Sequence, residues 1–186
     1  MIFLKTDDEI ELLRQSNLLV SKTLAELARL IKPGVTTKEL DKIAEEFIRD
    51  HGAVPTFKGF PNPYGSPYPC TLCTSVNDQV VHGIPNDIPL RDGDVVSIDC
   101  GTYMNGFCGD SAYTFCVGEV DPEVIKLLKT TKDALYLGIE NAVHGKRLGD
   151  IGYSIQNLCE SKSYGVVKEF VGHGIGKEMQ MLPHHN

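Results

Sequence analysis

The pair Asn105-Gly106 constrains the fold of this chain more than any other feature of its sequence. It separates two segments with strong strand character, residues 94–104 and 107–117. An Asn-Gly pair between apolar flanks is the strongest short-range signal for a β-hairpin. A two-residue turn at this pair places Met104 opposite Phe107, and this pairing sets the register of both strands.

This register brings two carboxylates together. Gly101 faces Asp110 and Asp99 faces Ala112, so Asp99, Gly101 and Asp110 point to one face of the hairpin. The two aspartates become diagonal neighbours with Cα atoms roughly 7–8 Å apart, and we expect Gly101 to leave open space opposite Asp110. A pair of divalent cations about 3.5–4 Å apart would fit between the carboxylates. The alternative is that one aspartate is exposed and the other caps a backbone group.

Helices are predicted on both sides of the hairpin. Thr6 with Glu9 and Thr36 with Glu39 form capping boxes, which predict one helix running to about Leu30 and a second that ends at residues 51–52. Residues 53–90 are rich in Pro, Gly and Asn and predict loops with short strands.

The region after the hairpin predicts two more helices and a strand. Asp121-Pro122 begins a helix that reaches about Val143. Asp150 is predicted to cap a fourth helix that ends before Gly165. Residues 166–171 have the composition of a further strand.

These elements occur twice, as a long helix, a Gly-containing stop, a shorter amphipathic helix, a Gly and then strands. Fewer residues follow the second helix pair than follow the first, so the second half is expected to be incomplete. The corresponding positions are Gly34 with Gly145, Leu40 with Ile151, Ala44 with Ile155, and Phe47 with Leu158.

Two histidines have settings suited to ligand contact. His82 follows an apolar run and precedes Gly83, and His173 is flanked by glycines that let the backbone approach a ligand closely. Neutral imidazole binds transition metals and also transfers protons near pH 7. Taken singly, each histidine is more commonly a hydrogen-bonded structural residue.

Composition excludes several classes of function. A net charge of −7 argues against nucleic-acid binding, because such proteins usually carry a basic face. No window approaches the roughly 20 apolar residues of a membrane span, and the first residues lack the pattern of a signal peptide. A cytoplasmic protein is therefore expected, and its six cysteines are interpreted as reduced thiols.

Three segments together resemble the bacterial type I methionine aminopeptidases. They are residues 80–85, the interval from Asp99 to Asp110 with Gly109 before the second aspartate, and residues 172–176. The resemblance implies the α/β (α+β) pita-bread fold of the creatinase and aminopeptidase proteins, with an internal pseudo-two-fold repeat. It also implies that residues 1–186 are one catalytic domain that lacks its C-terminal strands.

The resemblance assigns a role to each candidate residue. Asp110 would bridge two metal ions, Asp99 would bind one of them and His173 the other. His82 would contact the substrate near the scissile bond and assist proton transfer. Two further residues, Tyr68 and Cys73, would line the pocket for the methionine side chain.

The function implied is metal-dependent removal of the initiator methionine from nascent proteins. The cofactors would be divalent ions of cobalt, manganese, iron or zinc, with two per site in the family. The substrates would be N-terminal Met peptides, and the ribosome is a further candidate partner.

The sequence departs from the family at three places. Two glutamates that follow the metal-binding histidine in the family have no counterpart, Gln180 replaces a substrate-contacting histidine, and the loop at residues 60–67 is longer than usual. With two carboxylates against two divalent ions, we expect at most one well-held metal ion and impaired activity.

The shortened second half and the retained site leave other interpretations open. An uncovered sheet edge would favour dimerisation or aggregation. One alternative function is a catalytically inactive pita-bread module that binds peptides. A relative of proline dipeptidase or creatinase is the least favoured alternative, because the N-terminal region is too short for the extra domain of those enzymes.

Overall fold

The structure is a computed structural model that describes residues 4–61 and 65–179. These residues form two compact units, of which one comprises residues 4–119 and 172–179 and the other comprises Val120–Val171. The expectation of a single domain over residues 1–186 remains a prediction. Among the described helices, none is both long enough and apolar enough to cross a membrane.

Two capped helices open the first unit, as predicted. Helix α1 spans Asp7–Ala28 and helix α2 spans Thr37–Asp50, and both begin with a complete capping box. In each box the threonine hydroxyl accepts a hydrogen bond from the backbone N–H of the glutamate three residues later, and the glutamate carboxylate accepts one from the threonine backbone N–H.

A four-stranded antiparallel sheet packs against these helices. Its strands are β1 (Val54–Pro55), β2 (Leu72–Val76), β3 (Val95–Met104) and β4 (Phe107–Cys116). Strand β3 pairs with β4 along its whole length and with β1 and β2 on its other edge. The predicted register is confirmed, because Met104 pairs with Phe107 and Gly101 with Asp110.

The core of the first unit lies between the helices and the sheet. It contains fully buried aliphatic side chains from α1, α2, β2 and β3: Val20, Leu27, Leu40, Ile48, Leu72, Val96 and Ile98. Helix α1 approaches β4 so closely that a Cβ added at Gly109 would lie 2.6 Å from the Ser16 carbonyl carbon. Gly109 therefore permits the contact that holds the hairpin on α1.

The second unit contains helices α3 (Pro122–Asn141) and α4 (Leu148–Ser161). They pack together where Gly138 leaves room for Ile155. A long helix followed by a 14-residue helix repeats the order of the first unit, which agrees with the internal repeat.

Two details of this region differ from the sequence prediction. Helix α4 begins after Arg147, and Asp150 lies inside its first turn, where its carboxylate accepts a hydrogen bond from the Arg147 backbone N–H at 2.7 Å. Asp150 therefore stabilises the helix start from within and is not the N-cap residue. Residues 166–171 form no strand, and Val167, Phe170 and Val171 are more than half exposed. Their β-forming composition has no partner strand among the described residues.

Candidate metal centre and substrate cleft

Asp99 and Asp110 meet on one face of the β3–β4 hairpin, as the register predicts. The two carboxyl groups are close enough for each to change the pKa of the other. Burial raises the pKa of Asp99, and burial together with the charge of Asp99 raises the pKa of Asp110. Two partly buried carboxyl groups that disfavour carrying two negative charges together are suited to a cation between them.

The space beside Gly101 differs from the expectation. A Cβ added at Gly101 would collide with the Thr56 hydroxyl and would lie 2.8 Å from the Phe57 ring and 3.0 Å from the Met179 methyl group. The gap opposite Asp110 is therefore filled by side chains from other segments. Gly101 is required because these side chains approach the strand closely.

His173 reaches the carboxylate pair from the segment 172–179. Its Nε2 atom lies 3.5 Å from Asp110 Oδ2, and its side chain is 26% exposed. Its Nδ1 atom lies 3.1 Å from the Gly174 carbonyl oxygen, which can only accept a hydrogen bond. In the neutral ring Nδ1 therefore carries the proton, and Nε2 presents a lone pair toward Asp110. This is the tautomer that a metal ligand requires.

The segment that carries His173 is attached to the first unit at two points. The backbone N–H of Cys108 donates to the Gly176 carbonyl at 2.7 Å. The Lys177 ammonium lies 3.3 Å from the Glu9 carboxylate and 5.7 Å from the centre of the Phe107 ring. Both contacts hold the histidine next to β4.

His82 lies at the edge of the same cleft, in a loop with unusual backbone angles. Val81 and His82 have positive φ angles of 39° and 52°, which are rare for residues other than glycine. The next residue, Gly83, contacts β2 so closely that no side chain would fit between them. His82 lines the same cleft as Asp99 and Asp110.

The cleft has a volume of about 510 Å³ and one apolar side. Tyr68 and Cys73 line it, and burial raises the pKa of the Tyr68 phenol and raises the pKa of the Cys73 thiol to about 11. Both groups are therefore neutral near pH 7. The cleft brings all six predicted site residues together with apolar residues that were not predicted: Phe57, Phe60, Ile84 and Met179.

Asp41 holds the start of β2 beside these residues, although its role is not apparent from the sequence. Its carboxylate oxygen accepts hydrogen bonds from the backbone N–H groups of Thr71 and Leu72, at 2.9 and 2.8 Å. These contacts fix the start of β2, immediately before Cys73. The only sequence signal is a charged residue beside the apolar face of α2, which by itself does not identify a buried acceptor.

The three proposed metal ligands line one cleft, yet they do not form a complete metal site. Across residues 4–61 and 65–179, no three His, Cys, Asp or Glu side chains converge closely enough to hold a metal ion. His173 Nε2 lies 3.5 Å from Asp110 Oδ2, which is close to the separation of two ligands on one metal ion. Gln180 lies outside the described residues, as does part of the loop at residues 60–67.

Comparison with known sequences gives a consistent result. Residues 11–186 match the family described as metallopeptidase family M24. The chain is 50% identical over 184 residues to a methionine aminopeptidase of Clostridium acetobutylicum, covering 98% of this chain and 72% of that protein. It is 44% identical over 188 residues to methionine aminopeptidase 1 of Bacillus subtilis, covering 100% of this chain and 74% of that protein.

Solved structures share the fold described above. A methionine aminopeptidase from Rickettsia prowazekii superimposes with a TM-score of 0.93 at 39% identity, covering 98% of this chain and 72% of that one. The enzyme of the same name from Thermotoga maritima gives a TM-score of 0.92 at 35% identity, with the same coverage. A prolidase from Pyrococcus furiosus gives 0.82 at 20% identity over 97% of this chain and 51% of that one, which is a likeness of fold alone. The α/β pita-bread fold is thereby confirmed.

Proposed function

Because this chain belongs to the methionine aminopeptidases of metallopeptidase family M24, we propose that its cleft binds the N-terminus of a nascent protein and directs removal of the initiator methionine. The observation that carries the proposal is the carboxyl pair of Asp99 and Asp110, which faces a cleft with an apolar side. The carboxyl groups suit a cation that can hold the free amine of a peptide, and the apolar side chains suit a thioether side chain.

The donor atoms of these residues suit a divalent metal ion in their chemistry, although they do not converge into a three-ligand site within the described residues. Asp99 and Asp110 offer carboxylate oxygens, and the neutral ring of His173 offers the lone pair of Nε2, because Nδ1 donates to the Gly174 carbonyl oxygen. Cobalt, manganese, iron and zinc are the candidate ions, because a mixed oxygen and nitrogen donor set suits them. When bound, a divalent ion polarises the peptide carbonyl and makes a water molecule more acidic.

We infer that these three groups hold at most one ion well. Two carboxylates supply two negative charges, which are fewer than two divalent ions need for neutrality. The preferred ion and the number bound belong to the proposal, and a metal titration of the chain measures both.

The apolar side of the cleft is proposed to hold the methionine side chain. Tyr68 and Cys73 have raised pKa values because they are buried, so both present neutral surfaces to a thioether. Phe57 and Phe60 add aromatic faces to the same cleft, and sulfur packs favourably at the edges of aromatic rings. A methionine bound here would direct its free amine toward Asp99 and Asp110.

His82 is proposed to act on the peptide group. Its imidazole lies at the edge of the cleft near Asp99. There it would donate a hydrogen bond to the substrate and transfer a proton as the bond is cleaved. His82 belongs to a different loop from His173, and the proposal gives it no role as a metal ligand.

A direct experiment compares hydrolysis of a Met-Ala-Ser peptide and of a Leu-Ala-Ser peptide with added Mn²⁺ or Co²⁺. Asp110→Asn should abolish metal-dependent release of methionine. Asp133→Asn, an exposed change in helix α3, should preserve it. Equal rates for the two peptides would contradict methionine selectivity, and full activity of the Asp110 variant would contradict the proposed site.

A second candidate function is a peptide-binding module without catalysis. It is favoured by one observation, that no three potential ligands converge within the described residues. Tight binding of the Met peptide without its cleavage, in the presence of metal, would support this function in place of the enzymatic one. Contact with the ribosome, a cytoplasmic location and self-association through a sheet edge remain predictions.

A further inference from the structure

We propose that the hydroxyl group of Tyr68 is a positioning group that fastens the His82 loop, residues 80–85, to strand β2 and so keeps the imidazole at the edge of the cleft. The inference rests on the proposed function only in the role it gives to His82. It assigns to Tyr68 a task separate from contact with the methionine side chain.

The hydroxyl group bridges two backbone segments. It lies 2.9 Å from the Leu72 carbonyl oxygen and 3.0 Å from the Gly83 carbonyl oxygen. Carbonyl oxygens can only accept, so the phenol donates its single proton to one of them at a time. Leu72 is the first residue of β2, and Gly83 directly follows His82. The hydroxyl therefore connects the strand to the loop that carries the imidazole.

The loop needs such a fastening because its backbone is strained. A β-branched residue such as Val81 is a rare occupant of the positive-φ region, and His82 shares that conformation. Strained backbone of this kind persists only where surrounding contacts enforce it. The contacts that enforce it here converge on the residue that follows, Gly83.

Gly83 is held by three hydrogen bonds. Its carbonyl oxygen accepts from the Thr74 backbone N–H at 2.7 Å and from the Tyr68 hydroxyl. Its own N–H donates to the Ser75 hydroxyl at 3.2 Å. The Tyr68 contact is the only one of these three that comes from outside β2. Removal of this hydroxyl would leave Gly83 with hydrogen bonds to β2 only.

The aromatic ring and the hydroxyl group of Tyr68 can be tested separately. Tyr68→Phe keeps the ring in the cleft and removes the bridge, together with the interaction between the hydroxyl group and the Cys73 thiol. Tyr113→Phe is the matched control, because Tyr113 lies on β4 and is 50% exposed. Nuclear magnetic resonance would follow the ring signals of His82, the amide of Gly83 and the hydrogen exchange of the Thr74 amide. Calorimetry would measure the affinity for free L-methionine, which depends on the apolar pocket.

Tyr68→Phe should shift or broaden the His82 and Gly83 signals and speed exchange of the Thr74 amide about five- to tenfold, as expected for one lost hydrogen bond. Methionine affinity should stay within about twofold, because the ring is retained. The control should leave all three signals unchanged. In a Met-peptide assay, kcat should fall while KM changes little.

Wild-type signals at His82, Gly83 and Thr74 in the Phe variant would overturn the proposal, whatever methionine affinity does. If the variant does not fold, a nuclear Overhauser contact between the Tyr68 hydroxyl proton and Gly83 in the unmodified chain supports the bridge, and its absence overturns it. Failure of the unmodified chain to bind methionine would count against the proposed function, while the amide measurements would still decide the positioning role.

Discussion

Asp99 lies diagonally across the β3–β4 hairpin from Asp110, and burial raises the pKa of both carboxyl groups. Because of this relationship, we expect both protons and cations to change the stability of the folded chain. Either one can occupy the space where two negative charges would otherwise face each other.

We predict that the metal-free chain loses stability as pH rises. Burial raises the pKa of Asp99 and of Asp110 above the ordinary value for aspartate, about 3.9. The folded chain therefore binds protons more tightly than the unfolded chain. The stabilisation is complete below that ordinary value and is lost as pH rises through the raised pKa. The loss is about 1.4 kcal/mol for each tenfold difference in proton affinity between the folded and unfolded chains.

Thermal melts in a chelator between pH 4 and pH 8 measure this effect. Asp110→Asn removes one of the two charges and should flatten the dependence of Tm on pH, whereas Asp133→Asn should not. A pH profile that is unchanged in the Asp110 variant would contradict the assignment.

We also predict that a divalent cation reverses this loss near neutral pH. At a free Mn²⁺ concentration one hundred times its Kd, binding to the folded state should add about 2.7 kcal/mol to the free energy of unfolding. His173→Ala should weaken binding by removing the nitrogen donor, and His144→Ala, an exposed change in the second unit, should not. Equal Mn²⁺ stabilisation of both variants in thermal melts would exclude His173 as a ligand.

Gly109→Ala should separate helix α1 from strand β4. The added methyl group would lie within 2.6–2.8 Å of the Ser16 and Asn17 backbone, which cannot move as a flexible side chain would. We expect a loss of about 1–3 kcal/mol in the free energy of unfolding. Gly152→Ala is the control, because its methyl group meets nothing within 4 Å in α4 and should stabilise the helix by about 0.5–1 kcal/mol. Urea unfolding measures both, and equal effects would contradict the close contact.

Asp41→Ala should loosen the start of β2. It leaves the backbone N–H groups of Thr71 and Leu72 without their acceptor, at about 1–3 kcal/mol for each buried group left unpaired. Asp50→Ala, an exposed change at the end of α2, should have a small effect. Because Cys73 follows directly, methionine affinity should fall in the Asp41 variant. Unchanged affinity and unfolding midpoint would show that these hydrogen bonds contribute little.

The local parts of the site could be predicted from sequence. The turn pair Asn105-Gly106 sets a register, and the two-residue period of a strand then places Asp99 and Asp110 on one face. Capping boxes at Thr6 and Thr36 locate the starts of both N-terminal helices for the same reason, since each signal lies within a few residues of its effect.

Features that depend on distant segments were not predictable in the same way. Nothing near Gly101 in the sequence indicates that Thr56, Phe57 and Met179 fill the space beside it. Residues 166–171 have strand-forming composition, yet a strand also needs a neighbour, and the described residues offer none. Asp41 was missed because a buried acceptor is defined by the backbone that it meets.

The two carboxylates and the imidazole come from distant parts of the chain. Asp99 and Asp110 come from one hairpin, whose closure is a local event on the microsecond scale. His173 follows the whole second unit in the chain and is retained near β4 by the Gly176 carbonyl and Lys177. Closing so long a stretch of chain costs conformational entropy. We therefore expect the two carboxyl groups to come together before His173 joins them.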